Sequence, residues 1–473
     1  MTFATMRKVS FMLMASVLLT LSSSAQITDN KRNDWVGVIV KPKLPMIFHI
    51  TGDSLSGFHA TFDNPAQRIM GVKCKQVTIK GDSLTIELGG GIPVTYRGKY
   101  QPARDSISGV WVQGEKATPL DLKRMIRPQT PKPPFHYRFD SVEYDNTGRT
   151  VHLGATLTRP EGSKKYPVAI LITGSGQQDR DETLFDHKPF AVIADYLTEM
   201  GIAVLRVDDR GKGKSTGDVQ QATSADFADD VLTSIAYLKT RTDIDTARMG
   251  LIGHSEGGFI APLVYSKWPH LRFLVLLAGP GVPGSEIVLR QQTDPVKDIS
   301  QAAYAAYYPL IKTKLKILNE TYGEPDSITL SQVKTEFIQW QKGVPDSILD
   351  MLHARNVPAE LYATQVSLEM RPWFRYFYKT DPARFLQQVK CPVLALNGEK
   401  DSQVDAVQNI TAIHAALRKG GNRSVTTHIF PGLNHLFQHC GTGSFSEYPV
   451  IDETFAPEVL KMMGSWIQKM TNL

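Results

Sequence analysis

The chain has 473 residues, with 53 Lys and Arg against 47 Asp and Glu, for a net charge of +6. That length exceeds one typical core, so two or three units are expected. The mild charge, with no basic run interleaved with aromatics, gives no support to nucleic-acid binding. The three cysteines, Cys74, Cys391 and Cys440, include no C-x-x-C pair and offer no zinc-ligand spacing.

The chain opens "MTFATMRKVSFMLMASVLLTLSSSAQ". Arg7 and Lys8 precede an apolar run, and Ser23-Ser24-Ala25 follows it, which is the pattern of a secretory leader over residues 1–25. The apolar run is short for a membrane span. Export to the periplasm or the exterior is therefore expected, without stable membrane insertion once the leader is removed. The alternative is an anchor.

Residues 27–126 read as an all-β domain. Short runs such as "GVIVK", "QVTIKGDSLTIEL" and "ISGVWVQ" recur, and Gly-Asp-Ser-Leu appears at 52–55 and again at 81–84, each placed as a hairpin turn. A small barrel or sandwich is expected. "RPQTPKPP" at 127–134 reads as a Pro-rich linker.

From 135 to 473 the rhythm changes to strands alternating with helix-length segments. The strands are expected at 167–173, 202–208, 248–253, 272–279, 392–398 and 425–430. The helices are expected at 190–201, 224–240, 258–268 and 456–470. This alternation predicts a mostly parallel sheet flanked by helices. Between 285 and 385 it lapses into helices with many aromatics, the mark of a cap inserted into the sheet domain.

Two stretches fit G-x-S-x-G. In "GKSTG" at 213–217, no apolar strand abuts Ser215, and Asp208 stands where a phosphate loop would need Gly. In "MGLIGHSEGGFIAP", Ser255 follows an apolar strand and precedes an amphipathic helix, which marks it as a nucleophile raised on a sharp turn. The backbone N–H of Glu256 then opens a helix and can donate to an oxyanion. The second donor is expected from Ser175 or Gly176, in "TGSGQQDRDE" after the 167–173 strand. The acid should follow a late strand, where Asp401 sits in "NGEKDSQVD"; Asp405 is its rival, but it stands where a helix starts and is as readily its N-cap. The base should follow the last strand, where His435 stands in "FPGLNHLF"; His428 lies within the strand, and His439 comes late.

With these parts in place, the chain resembles a secreted bacterial α/β-hydrolase of the serine esterase and serine aminopeptidase (S33-like) group with an N-terminal β-domain. The resembling stretches are "GSGQQDRDE", "VLRVDDRGKGKSTG", "GLIGHSEGG", "RPWFRYFYKTDPARFL", "CPVLALNGEKDSQV" and "FPGLNHLFQ". The resemblance implies the α/β-hydrolase fold with a helical cap, a Ser255–Asp401–His435 triad and an oxyanion loop at Ser175 and Gly176. The expected activity is acyl-enzyme hydrolysis of a small carboxylic ester or acylated substrate, with no metal or organic cofactor called for. An aminopeptidase or amidase with the same triad is the alternative. It would need a carboxylate in the cap for a substrate ammonium, with Glu320, Glu324, Glu336 and Glu369 as candidates. A third reading is a catalytically silent binding module. Trp373, Phe374 and Tyr376 of the cap are expected to line the substrate pocket.

Overall fold

The computed structural model describes Ile27 and residues 33–40, 44–67, 69–90 and 93–473; the expected leader and its cleavage point lie outside them. The chain divides into two compact units, Met1–Pro128 with Ser444–Asp452, and Gln129–Gly443 with Glu453–Leu473.

The first unit is antiparallel. Its strands are β1 (Asn33–Ile39), β2 (Leu44–Asp53), β3 (Gly57–Asn64), β4 (Ile69–Lys80), β5 (Ser83–Leu88), β6 (Val94–Gln101), β7 (Ser106–Gln113), β8 (Lys116–Pro119) and β9 (Leu122–Arg124). They run β6-β5-β4-β3-β2-β1-β9-β7, and β7 pairs back to β6, so eight strands close a barrel and β8 is appended to β7. Closure removes the exposed edges a sandwich would leave. The two Gly-Asp-Ser-Leu copies stand at the β2–β3 and β4–β5 hairpins, where Asp53 faces Gly57 and Lys80 faces Ser83. Trp35, Phe48, Phe62 and Tyr96 fill the interior. Gly98 faces Gly109 across β6 and β7, and a Cβ at Gly109 would lie 2.4 Å from the Tyr96 hydroxyl, so the buried ring occupies the space those residues leave. The segment Ser444–Asp452 belongs with this unit, not with the sheet domain expected to span 135–473. Asp452 pairs with Lys123 at 2.9 Å, and Arg127 donates to the carbonyls of Ile451 and Pro449 at 3.0 and 3.1 Å.

The second unit holds an eight-stranded sheet of β10 (Tyr137–Asp145), β11 (His152–Pro160), β12 (Tyr166–Ile172), β13 (Ala203–Val207), β14 (Ile244–His254), β15 (Phe273–Leu277), β16 (Val393–Gly398) and β17 (Val425–Phe430). The order is β10-β11-β13-β12-β14-β15-β16-β17. The pairings from β13 onward are parallel, and β10 and β11 are antiparallel. β12 is buried along its whole length. Val168, Ile170 and Ile172 pack into one core, with helices Ser224–Thr240, Glu256–Lys267 and Ala406–Lys419. Ala169 and Leu171 face the opposite core, with helices Pro189–Glu199 and Pro457–Thr471. This is why the strand reads as a continuous apolar run: both of its faces are covered.

Between β15 and β16 lies the helical insertion, opening with Gly284–Ile299 and Gln301–Glu320 and including Asp326–Gly343 and Pro372–Lys379. It has a core of its own around Ile311, Leu315, Phe377 and Tyr378. Among the described residues, no helix is long and apolar enough to cross a membrane.

Candidate active site

Ser255 lies between β14 and helix Glu256–Lys267 with φ 50° and ψ −117°, a conformation a side chain adopts at a cost of about 1–3 kcal/mol. Close packing enforces it. A Cβ at Gly253 would lie 2.0 Å from the Gly257 carbonyl oxygen, and one at Gly257 would lie 2.2 Å from the Ile172 carbonyl oxygen. The Ser255 N–H donates to the Leu277 carbonyl at 2.8 Å, fastening the turn to the end of β15.

Asp401 follows β16 and His435 follows β17, both buried. Asp401 Oδ2 bonds His435 Nδ1 at 2.7 Å, while its Oδ1 accepts the N–H groups of Gln403 and Val404, each at 2.8 Å. A carboxylate held on this side fixes Nδ1 as the protonated nitrogen and leaves Nε2 as the basic one. No hydrogen bond joins Ser255 Oγ to His435 among the described residues; in the absence of substrate such bonds are commonly long. Asp405 caps helix Ala406–Lys419, its Oδ1 accepting the Gln408 N–H at 2.8 Å.

The loop after β12 passes close to Ser255: a Cβ on Gly174 would lie 3.2 Å from Ser255 Cβ. The Gly174 N–H is taken by Glu182 Oε1 at 2.6 Å. Ser175 and Gly176, the next two residues, line a cleft of about 450 Å³ together with Ser255 and Glu256. Gly176 takes φ 97°, a region suited to glycine. Trp373 and Phe374 also line this cleft, and so does Phe377. Tyr376 does not. Trp373 and Phe377 stack at 5.3 Å on the cleft face of helix Pro372–Lys379, whereas Tyr376 packs edge-on against Phe259 at 6.4 Å, toward the core of the sheet domain. Its expected place in the pocket is therefore corrected to a packing role.

Ser215 of the other G-x-S-x-G is buried, donates to the Asp208 carbonyl at 2.7 Å and accepts the Gly154 N–H at 3.0 Å. It ties a loop to β11.

Three acidic groups complete the surroundings. The Glu256 carboxylate accepts Ser224 Oγ at 2.6 Å and Trp373 Nε1 at 2.7 Å, and burial pushes its pKa up to about 7. Asp209 is pushed up to about 8 by burial, although Thr173 Oγ1 and the Gln178 N–H both donate to it, each at 2.7 Å. Glu182 bonds His254 Nδ1 at 2.9 Å, and His254 Nε2 reaches the His435 carbonyl at 3.1 Å. Burial opposes the charged form of His254, but Glu182 outweighs it and the pKa is raised. The sequence reading gave no role to Glu182 or His254. His254 showed only its polarity beside Gly253, and nothing local joins it to Glu182, because the contact spans 72 positions in the chain.

The sheet order, the strained serine turn and the acid–histidine pair at successive strand ends are those of an α/β-hydrolase fold. Residues 187–337 match the family described as serine aminopeptidase, S33, and residues 341–453 match the prolyl oligopeptidase family. The chain is 25% identical over 302 residues to Esterase EstD of Thermotoga maritima, covering 63% of this chain and 61% of that protein. It is 29% identical over 132 residues to an Escherichia coli 2-hydroxy-6-oxononadienedioate/2-hydroxy-6-oxononatrienedioate hydrolase, covering 28% of this chain and 42% of that one. The match thus spans about three fifths of the first relative's length and less of the second's. An esterase structure from Pyrococcus furiosus aligns at 14% identity with a TM-score of 0.43, over 73% of this chain and 98% of that one.

Proposed function

We propose that the chain is a serine hydrolase that cleaves small carboxylic esters by acyl transfer. The observation that carries this reading is the 2.7 Å Asp401–His435 bond, set on the loops after β16 and β17, with Ser255 on the strained turn after β14. His435 Nε2 takes the Ser255 proton as Oγ attacks the ester carbonyl carbon, and Asp401 stabilises the imidazolium that forms. The Glu256 N–H and that of Ser175 or Gly176 receive the developing oxyanion. The alcohol leaves with the proton from His435, and water then releases the acid by the same steps in reverse.

Ester cleavage is favoured over aminopeptidase action by the lining of the cleft. Its only carboxylate among the described lining residues is Glu256, which already accepts from Ser224 and Trp373. Glu320, Glu324, Glu336 and Glu369 are not among them, and Glu369 is bonded to Lys314 at 2.7 Å.

Turnover of a short-chain nitrophenyl ester by the wild type and by Ser255→Ala tests the reading. A loss of several powers of ten is expected from removing a nucleophile that works as a unit with its base. Equal rates, or failure of a fluorophosphonate to label Ser255 in folded protein, would overturn it. The leader pattern of residues 1–25 supports a periplasmic or extracellular location, and fractionation of expressing cells checks that.

A further inference from the structure

Glu256 and Arg371 are the only charged residues lining the cleft among those described. Glu256 is buried and its carboxylate engaged. Arg371 stands at the start of helix Pro372–Lys379, exposed, and its guanidinium has no ion pair or hydrogen bond among the described residues. Nearby arginines of the cap are paired: Arg375 with Asp326, and Arg290 with Asp294 and Asp405. Four neutral amides, Gln177, Gln220, Gln291 and Gln403, share the lining, and the remaining wall is largely apolar. A free guanidinium at the edge of an apolar wall presents a planar two-donor fork suited to a carboxylate. We propose that the cleft selects esters carrying a carboxylate remote from the scissile bond, with Arg371 as the residue that binds it. This rests on the ester reading above.

The test compares kcat/KM for pairs of esters that differ in charge: a nitrophenyl hemisuccinate against the neutral butyrate, and an acetylated hydroxybenzoate against its methyl ester. The wild type is expected to favour the anionic member of at least one pair by about fivefold, less at high salt, as suits a solvent-accessible ion pair. Arg371→Gln should erase that preference while leaving the neutral esters unchanged, and Arg371→Glu should invert it. No preference in the wild type, or one that survives Arg371→Gln, overturns the proposal. Loss of turnover on every ester together with loss of fluorophosphonate labelling would instead overturn the ester reading, and this proposal with it.

A second cluster carries an independent inference. Glu182 Oε1 is bonded both to the Gly174 N–H, at 2.6 Å, and to His254 Nδ1, at 2.9 Å. His254 Nε2 lies 3.1 Å from the His435 carbonyl, which can only accept. One buried carboxylate therefore touches the loop bearing Ser175 and Gly176 and, through one imidazole, the loop bearing the base. We infer that Glu182 and His254 form a positioning pair that holds the oxyanion loop and His435 in register. Because His254 Nε2 donates to that carbonyl, the proton between Nδ1 and Glu182 is shared by the pair, and the His254 ring lies 4.8 Å from the His435 ring, centre to centre.

Glu182→Gln should lower kcat by about tenfold with KM little changed, because loosened donors and base act on the transition state. The acid limb of the kcat/KM profile should also move, with rates counted per fluorophosphonate-reactive site. His254→Asn keeps the Gly174 bond and cuts the link to His435; it should move the same limb with a smaller loss of kcat. An unmoved limb in both variants, or a loss that vanishes once rates are counted per reactive site, would reduce the pair to a folding role.

Discussion

Asp209 lies beside the loop after β12, accepting from Thr173 and Gln178, with no cation among its hydrogen-bond partners in the described residues. Burial raises its folded-state pKa to about 8 from an unfolded value near 3.8. Between those values the folded chain keeps a proton that the unfolded chain has lost, so stability falls as pH rises across that window. Glu256, raised to about 7, adds to the same slope over the lower part of it. Urea denaturation at pH 5 and at pH 8.5 should show the higher midpoint at pH 5. Asp209→Asn should shrink the difference, and an unchanged difference would mean that the carboxyl is not held neutral. Ser255 shows strain at the same scale: its φ of 50° is retained because the glycines at 253 and 257 leave the turn no other path.

At the scale of the element, helix Pro372–Lys379 connects the cap to the turn at Ser255, because Trp373 Nε1 donates to the Glu256 carboxylate at 2.7 Å. Trp373→Phe keeps most of the ring and removes that donor. It should cost about 1–3 kcal/mol, the range for a hydrogen bond to a partly ionised buried group, and should change the ranking of kcat/KM across ester chain lengths. An unchanged ranking would remove Trp373 from the substrate wall. The central strands were legible because each is covered on both faces, so "PVAILIT" and "PVLALNG" read as unbroken apolar runs bounded by turns. The placement of Ser255, Asp401 and His435 at strand ends was legible because it follows from where the apolar runs stop. β10 and β11 were not picked out. β10 buries little beyond Tyr137 and carries Asp, Ser and Glu between half-buried residues, as an edge strand does, so its alternation is faint. β11 is well buried, but Gly154, Thr156 and Thr158 interrupt its apolar run. Tyr376 was misplaced because an aromatic run on a short helix does not show which ring faces a cavity and which faces a core.

At the scale of the molecule, the sequence suggests a division near residue 127, and what it hides is that the barrel takes Ser444–Asp452 from the far end of the chain. No local pattern marks such a borrowing, since the segment is held by Lys123 and Arg127 more than 300 positions away. A fragment ending at Pro128 should therefore melt below the barrel of the intact chain, and a peptide of residues 444–452 added in excess should raise its melting temperature, as any ligand of the folded state does. No response to the peptide would make the segment a passenger. The arrangement also orders events in time. Domains generally fold from the N-terminus as they leave the ribosome, yet this barrel, whose strands emerge first, lacks its last piece until residue 452 has been made. Nearly the whole second unit is synthesised in the interval, so the unit whose strands emerge earlier is completed late.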